Sequence, residues 1–372
     1  MRNLQAWFRD LIRPSSPAQN VNNDVQECEQ SSGDEADEAI AACTRAIQSG
    51  DLSEYDLAVT YNNRGLAWTA KGEFGKAIAD YGEAIRLAPD FAEAYYNRGK
   101  AWWEKREHDK AIANENEVTR SGRKLVVVYL GRNPWHDKGE KDKAIADYSE
   151  AIRLNPNYAD AYLSRGNAWR AERAYAPELD KAITDYTEAI RLCPTCAAYR
   201  NRGEALRTNG ELDKGIADFN EAIRLNPNDA DTYIRRGNAW EFKREYDKAI
   251  ADYGEAIRLN PDDDFAYFIR ACAWSGKGEY DKVIADYSEA IRLSPNFVTA
   301  YNNRGWTWYI KGEYDRAIAD YDEAIRLDPN NDIAYNSRGE AWRKKGELDK
   351  AIADEDEAVR LNPSWRDDHC GR

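Results

Sequence analysis

The sequence predicts an all-α fold, a solenoid of antiparallel helix pairs, and three observations predict it. The chain repeats itself with a usual period of 34 residues, as between the units that begin at 264 and 298. Each unit spaces its aromatic and small residues to share one face of a helix. Finally, 372 residues exceed what one ordinary core supports, whereas stacked repeats bury a continuous core between neighbours.

Aligned on Tyr-x-x-x-Gly-x-x-Trp, the units start near residues 58, 92, 125, 159, 196, 230, 264, 298 and 332. Tyr, Gly and Trp fall at positions four, eight and eleven, which is the i, i+4, i+7 spacing of one helix face. A second helix carries Ala at positions twenty and twenty-seven around a Tyr at twenty-four. Small residues flanking a ring make a socket for the first helix, and the Gly removes a side chain where the two helices approach. Lys/Arg-Gly-Glu-Tyr/Leu-Asp forms the turn between them, and Asn-Pro stops the second helix. Trp68, Trp102, Trp135, Trp169, Trp240, Trp274, Trp308 and Trp342 recur at repeat spacing, with Leu206 as the one substitute, and read as core rather than a cofactor box.

The last full unit runs Ile333-Ala-Tyr335-Asn-Ser-Arg338-Gly339-Glu-Ala-Trp342, then Ala351-Ile-Ala-Asp354, then Ala358-Val-Arg-Leu-Asn-Pro363. This pattern resembles the tetratricopeptide repeat (TPR) family, in the form of a bacterial-type multi-repeat scaffold. The resemblance implies a TPR superhelix of about nine units over 58–365, with the unit at 125–158 degenerate. Residues 1–34 read as a disordered or amphipathic lead-in, 35–57 as a half-repeat capping helix and linker, and 366–372 as a tail.

In that family the first helices line a concave groove that takes an extended peptide or a partner helix, so the resemblance implies a protein-interaction scaffold. The implied groove carries Asn63, Asn97, Asn201 and Asn303 at position six, beside Asn302 and Asn336. Trp103, Trp306, Tyr309, Arg170, Arg200, Arg207 and Arg343 complete the candidate partner-binding set. An asparagine amide can both donate to and accept from a ligand backbone, and aromatics and Arg are enriched at energetic centres of interfaces. The family's carboxylate clamp is missing, because Tyr129, Leu163 and Ile234 precede Asn133, Asn167 and Asn238 where a cation is needed. A self-associating repeat protein without a dedicated ligand, joined through its last unit, is the alternative; Trp365 is a partial cover there.

Two charges recur beyond the generic pattern. Position seven is Arg64, Arg98, Arg165, Arg202, Arg236, Arg270, Arg304 and Arg338; position twenty-three is Asp80, Asp147, Asp185, Asp218, Asp252, Asp286, Asp320 and Asp354. The expectation is a ladder of interhelical Arg–Asp pairs that sets register more than it adds stability. The competing arrangement pairs each Asp with a Lys one turn earlier, worth only about 0.3–0.5 kcal/mol.

The pattern breaks in three places. Residues 37–50 read as a second-type helix with no first helix before it, a cap. Over 115–135 the second helix loses its aromatic to Glu115 and its small residue to Val118, Ser121-Gly122 replaces the stop, and Pro134 falls inside the next first helix. That reads as a degenerate unit that still packs, or as a bend dividing the solenoid. The unit at 159 has a lengthened turn at 171–178 and a short exit, Cys193-Pro-Thr-Cys196, which a bridge could cross.

Composition narrows the function classes. A net charge of −14 and a pI near 5.0 argue against nucleic acid, and no apolar run reaches the roughly 18 residues of a membrane span. Twelve Trp and 23 Tyr exclude a disordered chain despite a mean hydropathy of −0.84. Residues 1–20 lack the apolar stretch of an export signal, which favours the cytoplasm; an atypical signal would mean a periplasmic or secreted protein. Six cysteines leave Cys28–Cys43 as a candidate bridge, and the lone C-x-x-C with three scattered histidines makes no metal site. No nucleophile–base pair or Gly-rich phosphate loop occurs, and carboxylates such as Glu83, Glu150 and Glu323 keep the repeat period, so neither catalysis nor a cofactor is expected.

Overall fold

The computed structural model describes residues 25, 28, 36–121, 134–171 and 176–365, without the side chains of 110–121, 134–138 and 176. Among the described residues there are seventeen helices and no strand. They divide into two compact units, Met1–Pro194 and Thr195–Arg372.

The first unit opens with α1 (Ala36–Ser49), whose Ala39, Ala42, Cys43 and Ala46 are buried. It packs on α2 (Glu54–Ala70). Then α2 pairs with α3 (Phe74–Leu87), α4 (Ala92–Ser121) with α5 (Pro134–Leu154), and α6 (Ala159–Arg170) with α7 (Ala176–Leu192), while α3 also meets α4 and α5 meets α6. A disulfide joins Cys28 to Cys43 of α1.

The second unit contains five pairs in the same arrangement. These are α8 (Cys196–Thr208) with α9 (Leu212–Leu225), α10 (Ala230–Phe242) with α11 (Tyr246–Leu259), and α12 (Asp264–Gly276) with α13 (Tyr280–Leu293). Next come α14 (Val298–Ile310) with α15 (Tyr314–Leu327), and α16 (Asp332–Lys345) with α17 (Leu348–Leu361). Each second helix ends because the residue before Pro leaves the helical region; Asn226, before Pro227, has φ −139° and ψ 91°. The turn inside each pair needs a left-handed residue, supplied by Gly210, Gly278, Gly312 and Gly346 at φ 75–85°. Arg244 fills that position in the α10–α11 turn at φ 61°, a conformation that disfavours a side chain.

The socket takes the expected form. A Cβ added to Gly65 would lie 2.6 Å from the Tyr81 ring, and one added to Gly237 2.5 Å from Tyr253. The flanking Ala77, Ala84, Ala249 and Ala256 are buried. The tryptophans are only half-buried. A cation of the following second helix, Lys76, Lys143, Lys181, Lys248, Lys282, Arg316 or Lys350, covers each described ring at 4.2–4.6 Å from its centroid.

All eight Arg–Asp pairs form, and each is bidentate. Nε and one Nη donate to the two carboxylate oxygens at 2.6–2.9 Å. The eight Asp residues are all buried. The guanidinium lies over the Tyr three residues earlier at 5.3–5.8 Å. Its remaining nitrogen often reaches back to the preceding second helix. Arg64 donates to Thr44, Arg165 to Ser149, Arg236 to Asn220, Arg304 to Ser288 and Arg338 to Asp322. One side chain therefore ties its own pair together and joins it to the pair before.

The ladder also shows how the irregular region is organised. Most Arg–Asp partners are 16 residues apart, but Arg98 pairs with Asp147, 49 residues on. The difference, 49 − 16 = 33, is almost one repeat. Gly99 likewise seats Tyr148, so the first helix of the unit at 92 pairs with the second helix of the unit at 125. No turn interrupts α4, which runs through the expected inter-helix turn to Ser121. Pro134 does not lie inside a helix but begins α5, where its missing N–H costs nothing. The expected first helix over 125–133 lies outside the described residues. The division between compact units falls at Pro194, not at 115–135. In the pair at 159 the separation from Arg165 to Asp185 is 20, so the longer turn adds four residues; 172–175 lie outside the described residues. Cys193 and Cys196 are free thiols rather than a bridge.

Burial opposes these ion pairs electrostatically. At Asp252 and Asp320 desolvation outweighs the facing Arg236 and Arg304 and holds both carboxyls above the ordinary carboxylate range. A folded-state pKa that is raised means stability falls as pH rises through it, so these two groups do not drive acid unfolding. Arg236→Ala is expected to cost about 3–5 kcal/mol, because it strands Asp252. Asp252→Asn is expected to cost about 1–2 kcal/mol, since Arg236 keeps Asn220 and some solvent. Urea unfolding at neutral pH measures both; the reverse order would show that the pairs are held for stability rather than register.

Candidate functional site

The face of interest is built from positions five, six, nine and twelve of the first helices. In the first unit it carries Asn63, Asn97, Trp103 and Arg170. Asn97 is buried and donates through Nδ2 to Asn62 Oδ1 at 3.0 Å, so this asparagine pair joins α4 to α2. Asn63 is half-buried. Trp103 stacks under the guanidinium of buried Arg106 at 4.9 Å, and Arg170 donates to Tyr186 Oη at 3.3 Å.

In the second unit the predicted arginines are engaged by carboxylates. Arg200 donates to Asp229 at 2.7 Å and lies 3.6 Å from Asp231. Arg207 holds Glu204 with two bonds, and Arg235 bridges Asp231 and Glu204. Asn201 lies on α8 among this network and is half-buried. Arg343 on α16 holds Glu355 of α17. Arg200, Arg235 and Arg343 thereby tie neighbouring helices together, whereas Arg207 is held by a carboxylate of its own helix.

The α14–α16 region is different. Trp306 is 48% exposed and stacks on Tyr309 with ring centroids 5.3 Å apart and 16° between planes. Asn303 donates to Tyr287 Oη at 3.3 Å. Asn302 and Asn336, at the same position in successive repeats, each bury a side-chain carbonyl oxygen with no hydrogen-bond partner among the described residues. A buried acceptor left unmade costs about 1–3 kcal/mol.

One contribution to this face was not foreseen. The Tyr at position twenty-four buries its ring, and in several pairs its hydroxyl reaches a first-helix side chain, whereas the buried Tyr321 hydroxyl has no hydrogen-bond partner among the described residues. Tyr186 donates to Asn167 at 2.9 Å, Tyr253 Oη lies 2.7 Å from Asn238 Oδ1 and 2.8 Å from Glu241 Oε2 with its one proton between them, and Tyr81 bonds Thr69 at 3.1 Å. Burial pushes the Tyr186 phenol up to about 12, with Arg170 pulling the other way. The available signal was that position twenty-four is usually Tyr, with a polar side chain at position nine or twelve to receive its hydroxyl.

Stacked helix pairs with a recurrent first-helix face define a helical-repeat interaction scaffold. A TPR repeat profile matches residues 65–105, 135–169 and 277–309, and a tetratricopeptide repeat profile matches 197–229, 230–263 and 298–331. The chain belongs to the tetratricopeptide repeat family. No curated protein matches it significantly. Among solved structures it is similar to the C-terminal part of a TPR repeat-containing protein from Cytophaga hutchinsonii, at 17% identity and a TM-score of 0.53, over 61% of this chain and 92% of that one. It is also similar to YrrB, described as a TPR protein with an unusual peptide-binding site, at 22% identity and a TM-score of 0.43 over 50% and 95% of the two chains. MamA protein aligns at 26% identity and a TM-score of 0.43, over 46% and 94%. Proteins of this family are interaction scaffolds, typically non-catalytic, that bind peptides or proteins. No described helix is long and apolar enough to cross a membrane.

Proposed function

We propose that the chain holds an extended segment of a partner protein on the α14–α16 face. The observation that carries this reading is the pair of buried, unpartnered carbonyl oxygens of Asn302 and Asn336 beside the half-exposed Trp306. An extended backbone presents N–H donors at intervals along its length, which suits acceptors repeated on successive helices. Trp306 supplies the flat apolar area that anchors such contacts. Asn303, Tyr309 and Arg343 flank the path. Peptides selected from a display library against the full chain provide the test. Trp306→Ala should weaken their binding about 30-fold, and Asn336→Ala by about five-fold. Binding unchanged in both variants would place recognition on another surface.

A second reading is self-association through the last pair. Leu348 and Ile352 of α17 are 54% and 51% exposed, whereas Leu212 and Ile216 at the same positions of α9 are half-buried and buried beneath the following pair. Trp365 is pinned beside α16 by donating to Asp332 at 2.8 Å, which leaves those two side chains uncovered. A second copy covering them makes a dimer that Ile352→Lys dissociates; light scattering that finds only monomer at high concentration ends this reading.

The Cys28–Cys43 bridge supports the export alternative for location, since such bridges persist in oxidising compartments. Protein isolated from its native host without reductant should gain two alkylatable thiols on reduction. No gain would favour the cytoplasm.

A further inference from the structure

The first unit contains a hollow of about 370 Å³ that belongs to neither surface described above. It is lined by Tyr55, Asp90, Phe91, Ala92, Glu93, Asn155 and Tyr158. These residues come from the start of α2, the turn into α4 and the turn into α6. Other first helices follow a proline-bearing stop: Pro89, Pro156, Pro227, Pro261, Pro295 or Pro329 stands three residues before the unit. The unit at 58 has Tyr55 there instead, because α2 begins earlier, at Glu54, with Ser53 as its cap. Ser53 Oγ accepts from the Asp56 backbone N–H at 3.1 Å and donates to the Asp56 carboxylate at 2.6 Å. That extra turn carries a ring over Phe91, with centroids 6.2 Å apart. Tyr158 forms a third wall and is itself backed by Tyr96 at 4.8 Å. Burial, then Tyr96 and the carboxylate of Glu93, hold the Tyr158 phenol well above its ordinary range, so it stays neutral with its ring face available.

Charge selects the occupant. Asp90 and Glu93 are exposed at the rim, and neither makes an ion pair among the described residues, in a chain where most acidic side chains are matched by a cation. Acids at a helix start are ordinary; what distinguishes this pair is that Asp90 and Glu93 stand at the rim of a hollow walled by three rings. Three aromatic rings with two uncompensated carboxylates form the environment that attracts a weakly hydrated cation, through the ring quadrupole and long-range charge together.

We propose that this hollow binds a trimethylammonium group between Tyr55, Phe91 and Tyr158, with Asp90 and Glu93 balancing its charge. The same chemistry is presented by a small solute such as choline and by a trimethylated lysine side chain. The site is independent of the peptide face, which lies in the other unit.

NMR titration of the full chain with choline, Nε-trimethyl-lysine amide, lysine amide and the neutral isostere 3,3-dimethylbutan-1-ol tests it. Choline or trimethyl-lysine should bind about tenfold more tightly than the isostere and the unmodified lysine. The tighter of the two cations identifies a solute or a modified partner as the source. Tyr55→Ala should weaken binding about fivefold with an unchanged thermal melt, because Tyr55 is 62% exposed. Asp90→Asn with Glu93→Gln should weaken it similarly and flatten its salt dependence. A neutral isostere that binds as well as choline, or Tyr55→Ala without effect, overturns the proposal.

Discussion

A carboxylate buried on every second helix has to be met by two donors in the plane of its oxygens, and a guanidinium is the side chain that offers them in one rigid fork. Much of the rest of each repeat follows from that pairing. The Arg must approach from the first helix, which fixes the rotation of that helix about its axis. With the fork committed, Tyr at position four falls beneath the guanidinium, and Gly at position eight falls over the ring of position twenty-four. The remaining nitrogen then points at the preceding pair, where Thr44, Ser149, Asn220, Ser288 and Asp322 receive it. Register within a pair and stacking between pairs thus share one residue. Because each buried carboxylate is met only when its own arginine faces it, the ladder penalises wrong alignments of nearly identical helices, a hazard that any periodic sequence carries.

The aromatic at position twenty-four extends the same constraint to the surface. Its ring must be flat and fully enclosed to fill the space left by Gly, and a hydroxyl on its far edge must then find a partner. The partner lies on the first helix, as Asn167, Asn238 or Glu241. Core packing therefore dictates the polarity of the outer first-helix face. Phe219, which has no hydroxyl to place, seats against Gly203 in the one unit that carries Leu206 in place of the position-eleven Trp.

The repeat logic was legible in the sequence because each element of it is periodic: the socket, the turn, the stop and both partners of the ladder. What escaped was whatever the period could not reveal. An insertion of 33 residues between Arg98 and Asp147 has nearly the length of one repeat, so counting in steps of 34 registers it as a damaged unit. The Arg–Asp pairing distinguishes the two, because only the inserted reading gives Arg98 a buried carboxylate. Position twenty-five carries unlike residues, among them Gly82, Ser149, Asn220, Gly254, Ser288 and Asp322, and so shows no period, although Ser149, Asn220, Ser288 and Asp322 each accept from the position-seven arginine of the following pair. The candidate face was legible by position but not by state. Arg200 and Arg343 look available in the sequence, and only the fold brings Asp229 and Glu355 against them, whereas the Glu204–Arg207 pair is an i,i+3 contact of one helix that the sequence already displays.

Departures from the repeat fall where these constraints are slack, and this is why they can carry function. Neither Trp306 at position nine nor Tyr55, three residues before the unit at 58, touches the ladder or the socket, so each can change without disturbing register. The two departures have opposite chemistry. At α14–α16 the protein offers stacked rings and two buried acceptors, which seek donors. At the start of α2 it offers three rings and two unpaired carboxylates, which seek a cation without donors. A scaffold whose helices are locked by repeated ion pairs can present both, because the charges that set its register are already neutralised in pairs.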